Sequence, residues 1–92
     1  MTLNQLRKRI DRIDRDVLRL LNQRAALALR IGEFKKKRGL PVFDGRREEE
    51  VLRRLMRASC GPLPPSASHE IFRVILRLSR RLQVLKSGRG KG

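Results

Sequence analysis

Leu3, Leu6, Ile10, Ile13, Val17, Leu20, Leu27, Ile31 and Phe34 recur at alternating steps of three and four residues, and Arg24 fills the one non-apolar place in the series. That rhythm lays a single stripe along one α-helix, with the spacing of a coiled-coil seam. It predicts a first helix from about Leu3 to Lys37, stopped where Arg38-Gly39-Leu40-Pro41 supplies a terminal glycine and then a proline. Asp44 can cap a second helix from about Gly45 to Ala58, whose apolar face is Val51, Leu52, Leu55 and Met56. Gly61-Pro62-Leu63-Pro64-Pro65 breaks the chain. Ser66 or Ser68 can then cap a third helix to about Lys86, with Ile71, Phe72, Ile75, Leu78, Leu82 and Leu85 facing inward. The fold class is therefore all-α, with three helices per chain in one helical domain over residues 1–86. Residues 87–92, rich in glycine and basic side chains, read as a disordered basic tail.

The first helix is too long for the chain that carries it. Its stripe covers 32 residues, roughly 48 Å. A compact domain of 92 residues is only about 30 Å across. Two shorter helices can cover one side of the long one, so the remaining apolar edge requires a second chain. The simplest arrangement is the same helix running antiparallel in an intertwined homodimer.

Composition narrows the class. With 92 residues, 39% of them apolar and three aromatic, the chain supplies one small core and cannot be a large multi-step enzyme. No run approaches the ~18 apolar residues of a membrane span, and Met1-Thr2-Leu3-Asn4-Gln5 lacks a signal-peptide layout. The expectation is a soluble, cytoplasmic protein. One cysteine, Cys60, and one histidine, His69, provide no disulfide framework, no zinc site and no convincing nucleophile pair, so no metal or cofactor is expected. The 24 Lys and Arg against 9 Asp and Glu give a formal charge of +15 and call for a negative partner. Such a field attracts nucleic acid and equally concentrates a small dianion.

Polar residues in apolar places bear on that choice. Arg24 interrupts the seam, where a guanidinium is costly without an anion beside it. An internal ion pair or a snorkelling stem would also meet that cost. Lys35 lies eleven residues on, about 20° round the helix and roughly 16 Å along it. Both cations can therefore border one pocket. On the third helix Ser79 and Gln83, an i, i+4 pair, continue the stripe of Phe72 and Leu76. A serine bonded to its own helix and a glutamine at a wet edge are the bland alternatives. On the second, Glu48 shares its face with Val51, Leu52 and Leu55, and Arg47 aligns with Val51, although Arg47, Glu49 and Glu50 also suit a solvated surface. Several cations, a Gln, a Ser and one carboxylate suit a small polyanion. They can catalyse by orientation and electrostatics, but they offer nothing for covalent chemistry.

A set of segments at nearly constant spacing carries a resemblance: Leu6-Arg7-Lys8-Arg9-Ile10-Asp11-Arg12-Ile13-Asp14, Leu20-Leu21-Asn22-Gln23-Arg24, Ile31-Gly32-Glu33-Phe34-Lys35, Pro41-Val42-Phe43-Asp44, Arg47-Glu48, and Ser79 with Gln83. From Leu6 to Gln83 the chain resembles the all-helical chorismate mutases. The resemblance implies an isomerase of the shikimate pathway that rearranges chorismate to prephenate for aromatic amino-acid biosynthesis, without a cofactor. It further implies that Arg24 and Arg7 grip the two carboxylates of the substrate, while Lys35 and Gln83 hydrogen-bond its ether oxygen. Arg47 would add positive charge near a carboxylate, Ser79 would support carboxylate binding, and Glu48 with the Asp44 backbone would hold the ring hydroxyl. Arg7 would come from the other protomer. Helix geometry agrees: seventeen residues separate Arg7 from Arg24, roughly 25 Å along one rigid helix and too far for one small ligand.

Other readings make different demands. A sister activity, isochorismate-pyruvate lyase, uses the same scaffold on a similar dianion, but the Arg47-Glu48 and Ser79/Gln83 pairs look more mutase-like. A nucleic-acid-binding helical dimer would use the charge of +15 and the basic Lys86, Arg89 and Lys91. It leaves Arg24, Ser79 and Gln83 unexplained, and without Trp or Tyr it lacks the usual stacking platforms. A coiled-coil adaptor predicts that Arg24→Leu stabilises the dimer with no functional loss.

Overall fold

A computed structural model describes residues 1–87, with side chains to Leu85. The remainder of the expected basic tail, residues 88–92, lies outside the described residues. Three helices run in the order α1 (Leu3–Arg38), α2 (Gly45–Ala58) and α3 (Pro65–Ser87).

Each boundary has a local cause. Thr2 opens α1 with a capping box: its hydroxyl accepts from the Gln5 N–H, and the Gln5 side chain accepts from the Thr2 N–H at 2.8 Å. Gly39 closes it in the left-handed conformation, φ 64° and ψ 27°, which glycine adopts without steric penalty. The Gly39 N–H donates to the Lys36 carbonyl at 3.3 Å and the Leu40 N–H to the Lys35 carbonyl at 2.9 Å, the paired bonds of a Schellman turn. Asp44 caps α2, as the sequence suggests, accepting from the Arg47 N–H at 3.1 Å.

The start of α3 corrects the sequence expectation. Neither Ser66 nor Ser68 is the cap; Pro65 occupies the first helical position, where its fixed φ suits the helix and its missing N–H costs nothing. The Pro64 carbonyl accepts from the N–H groups of Ala67 and Ser68 at 3.0 and 3.1 Å, and Ser68 is buried inside the first turn.

The three helices make one elongated body. Helix α3 packs against both α1 and α2, while α1 and α2 do not pack against each other. The radius of gyration is 16.5 Å, against about 12 Å for a compact chain of this length. The longest dimension, 54 Å, is the length of α1 itself, whose 36 residues at 1.5 Å each span about 54 Å. The helix overhangs its own fold as the stripe requires.

Few side chains are buried. Ala28, Val51 and Leu76, one from each helix, are the buried apolar residues among those described. Ala28 and Gly32, small and one turn apart, are the buried positions of α1. The nine apolar residues of the seam stay exposed, at 46–62% of their accessible surface. The expected inward face of α3 holds in part: Phe72, Ile75 and Leu82 are half-buried, whereas Ile71, Leu78 and Leu85 are exposed in the single chain. The buried stripe lies one step round, at Ser68, Leu76 and Ser79. Ile71, Val74, Leu78 and Leu82 instead form, with Val17 and Leu21, an apolar groove of about 580 Å³ between α3 and α1. Among the described residues no helix is long and apolar enough to cross a membrane.

Candidate active site

A cavity of about 470 Å³ opens where α1 and α2 stand apart across α3. It falls within the size range of small-molecule sites. Helix α1 contributes Arg24, Leu27, Ala28, Ile31 and Lys35, and α3 contributes Leu76, Ser79, Arg80 and Gln83. Steps of three and four place each group on one face of its helix. Helix α2 adds Arg47, Glu48 and Val51, and the α1–α2 connection adds Val42 and Asp44. The walls thus combine aliphatic and charged side chains.

Two cross-helix hydrogen bonds decide what the polar intruders do. The Arg24 guanidinium donates to the hydroxyl of the buried Ser79, which ties α3 across to α1. Lys35 donates to the Val42 carbonyl at 2.8 Å and to the Gln83 Oε1 at 2.9 Å. The Schellman turn holds this lysine at both ends: its backbone carbonyl accepts from Leu40, and its ammonium reaches the chain that has just doubled back. An ammonium has three N–H donors, and these contacts use two. With the Gln83 carbonyl oxygen committed to Lys35, the amide NH₂ is the group left for the cavity, so both residues offer donors there.

Neither Arg24 nor Lys35 forms an ion pair among the described residues; their partners are a hydroxyl, a carbonyl and an amide. Half-buried cations with only neutral partners are poorly compensated, and an anion in the cavity relieves that cost. Around the cavity four cations, Arg24, Lys35, Arg47 and Arg80, face two carboxylates, Asp44 and Glu48, leaving a formal +2. Asp44 spends one oxygen on the α2 cap. The Arg47 side chain reaches Glu50 at 3.6 Å on an exposed surface, so its contact within the chain is a solvated one.

Of the eight residues singled out in the sequence, Arg24, Lys35, Asp44, Arg47, Glu48, Ser79 and Gln83 line this cavity. Arg7 does not; it is exposed on α1, seventeen residues before Arg24. Sequence reasoning missed Arg80, which donates to the Glu48 Oε1 at 2.5 Å. It lies four residues after Leu76 and three before Gln83, on the same stripe. The Val42 carbonyl, a main-chain acceptor set by the turn, left no signal in side-chain pattern.

Comparison with known proteins bears on these positions. A bifunctional chorismate mutase/prephenate dehydratase of Aquifex aeolicus is 43% identical over 94 aligned residues, covering 94% of this chain and 26% of that protein. This chain thus spans about a quarter of that relative's length, and 19% of a second bifunctional chorismate mutase/prephenate dehydratase, of Neisseria gonorrhoeae, 43% identical over 76% of this chain. A chorismate mutase of Methanocaldococcus jannaschii is 31% identical, covering 88% of this chain and 83% of that protein. Among solved structures, chorismate mutase (form II) from Thermus thermophilus superposes with a TM-score of 0.89 at 36% identity, over 92% of this chain and 97% of that one. The family model for chorismate mutase type II matches residues 6–84, from the seam of α1 through Gln83. With the same helices and the same span of cavity-lining residues inside that match, the chain belongs to the chorismate mutase type II family.

Proposed function

We propose that the chain rearranges chorismate to prephenate in the cavity between α1 and α2. One C–O bond breaks and one C–C bond forms within a single molecule, and no proton or group passes to the protein. The protein has two tasks: to hold the compact conformer in which the reacting carbons meet, and to stabilise negative charge on the ether oxygen as its bond lengthens. The observation that carries this reading is the Lys35–Gln83 hydrogen bond, because it sets an ammonium and an amide NH₂ side by side as donors. Arg24, with Ser79 behind it, suits one substrate carboxylate, and the formal +2 of the rim matches a dianion. Glu48 and the Asp44 backbone take the ring hydroxyl in this reading, and Arg47 lends positive charge.

The energetics are adequate. An acceleration at the low end of enzymes, about 10⁶-fold, corresponds to ~8 kcal/mol. A preorganised donor is worth about 3–4 kcal/mol, so two donors with a restricted conformer reach that range.

A second protomer completes the site in this proposal. The exposed seam of α1 and the apolar groove beside α3 are the faces a second copy would cover. An antiparallel copy brings its Arg7 toward the Arg24 end of the first chain's cavity, to serve the second carboxylate. Adding chorismate and following the loss of its absorbance tests the reading. Conversion to prephenate is the expected result; no turnover, with stoichiometric binding of duplex DNA, overturns it.

A further inference from the structure

Four ion pairs are formed among the described residues, and one differs from the rest. Arg19–Asp16, Arg47–Glu50 and Arg53–Glu49 join neighbours on one helix at 3.6–4.0 Å, with every side chain more than half exposed. Such pairs contribute little. Arg80–Glu48 joins α3 to α2 at 2.5 Å, with side-chain exposures of 33% and 19%, and both residues line the cavity. The Arg80 guanidinium also lies 5.4 Å from the centre of the Phe43 ring. That ring sits against Gly45, where an added Cβ would come within 3.0 Å of its edge. The arginine is therefore held from two sides, by a carboxylate and by an aromatic face fixed at the start of α2.

Glu48 has a problem that this arrangement solves. A carboxylate lining a cavity that takes a dianion repels its ligand unless its charge is offset. Lys35 and Arg24 face it from α1, and Asp44 and Arg47 adjoin it at the start of α2, but none of them bonds its oxygens. Arg80 does, through Oε1, and among the described residues the Glu48 carboxylate accepts no other hydrogen bond. Its second oxygen remains an acceptor for a ligand hydroxyl.

We infer that Arg80 is a positioning residue: it holds the Glu48 carboxylate at the cavity rim and offsets its charge, so that Glu48 reads the hydroxyl of a hydroxylated ring dicarboxylate without repelling it. This inference rests on the proposed turnover of chorismate, with Glu48 at the ring hydroxyl. It predicts that Arg80 matters for hydroxyl discrimination more than for anion binding in general.

The test is a double-mutant cycle read with two ligands, chorismate and a competing dicarboxylate that lacks the ring hydroxyl. Arg80→Met should lower kcat/KM for chorismate by about tenfold or more, mainly through KM, and lower the preference for hydroxylated over deoxy ligand. In the Glu48→Gln background the same substitution should cost about twofold or less, because no carboxylate remains to be held. Arg80→Lys, which keeps the charge but not the fork, should restore part of the loss. Circular dichroism checks that each variant keeps its helices. If Arg80→Met weakens hydroxylated and deoxy ligands equally, the pair only fastens α3 to α2 and the inference fails. If its cost is the same in both backgrounds, Arg80 acts on the ligand directly and the inference also fails. Absence of turnover by the unsubstituted protein overturns the functional proposal itself, an outcome separate from either of these.

Discussion

Lys35 and Gln83 lie 48 residues apart in the chain and 2.9 Å apart in space, ammonium to amide oxygen. The contact fixes which way the amide faces, and so makes Gln83 a donor toward the cavity rather than an acceptor. The consequences can be measured.

Gln83→Glu should shift activity toward acid. A glutamate donates to an ether oxygen only when protonated, and the adjacent Lys35 ammonium favours its ionised form, so the variant needs a lower pH to work. The unsubstituted amide does not titrate. A pH–rate profile of the variant that matches the parent removes Gln83 from the ether contact.

Lys35 tests whether the ammonium acts in the transition state. Lys35→Ala should lower kcat as well as raise KM, since charge on the ether oxygen grows as the bond breaks. Lys35→Arg keeps the charge but replaces a compact ammonium with a planar fork, so binding should survive better than turnover. A steady-state result with unchanged kcat and only raised KM means uniform binding, and the ether contact is then abandoned.

Arg24→Leu separates function from stability. The substitution restores the apolar seam and leaves Ser79 free to bond its own helix, so thermal stability should hold or rise. Loss of a charged hydrogen-bonding group from the site should cut kcat/KM by about 100-fold. Full retained activity would instead support an adaptor.

Shared sites are tested by mixing. If the site is shared between two copies as proposed, the Arg7→Ala and Arg24→Ala proteins should each be inactive alone, and the two are unfolded and refolded together. Heterodimers should carry one intact site and recover part of the activity. No recovery, with heterodimers demonstrated by mass, counts against a site built from two chains.

The glycine at the end of α1 is required for its backbone rather than its space. Gly39 has φ 64° and nothing near its missing Cβ, so Gly39→Ala should cost about 1 kcal/mol in a urea titration at fixed protein concentration. Gly39→Asn should cost less. Equal stability of all three proteins would mean that the turn relaxes without consequence.

Helix positions were readable in the sequence because their causes are local: the stripe of α1, Gly39 and Asp44 each act within a few residues. The start of α3 was misread because serine is a common cap, whereas Pro65 suits the first helical position by its ring alone. The inward face of α3 is legible only in part, for a different reason. Its apolar residues serve two faces, and periodicity does not say which one the chain itself covers and which it leaves open. Arg24, Lys35, Ser79 and Gln83 could be found as polar residues in apolar places. Arg80 could not be separated in the same way from the many arginines around it, since its distinction is the half-buried carboxylate across the cleft.

The continuous α1 also acts as a ruler. Arg24 and Lys35 meet at one cavity because eleven residues carry the second cation almost back to the azimuth of the first. Adding one residue between them would swing Lys35, together with the turn that follows it, by about 100° and detach it from Gln83 on α3. Substitutions on the outward face of this rod leave the measurement intact, but no change of length does. What brings those two cations to one cavity is a count of residues, whatever the composition of the rod's outward face.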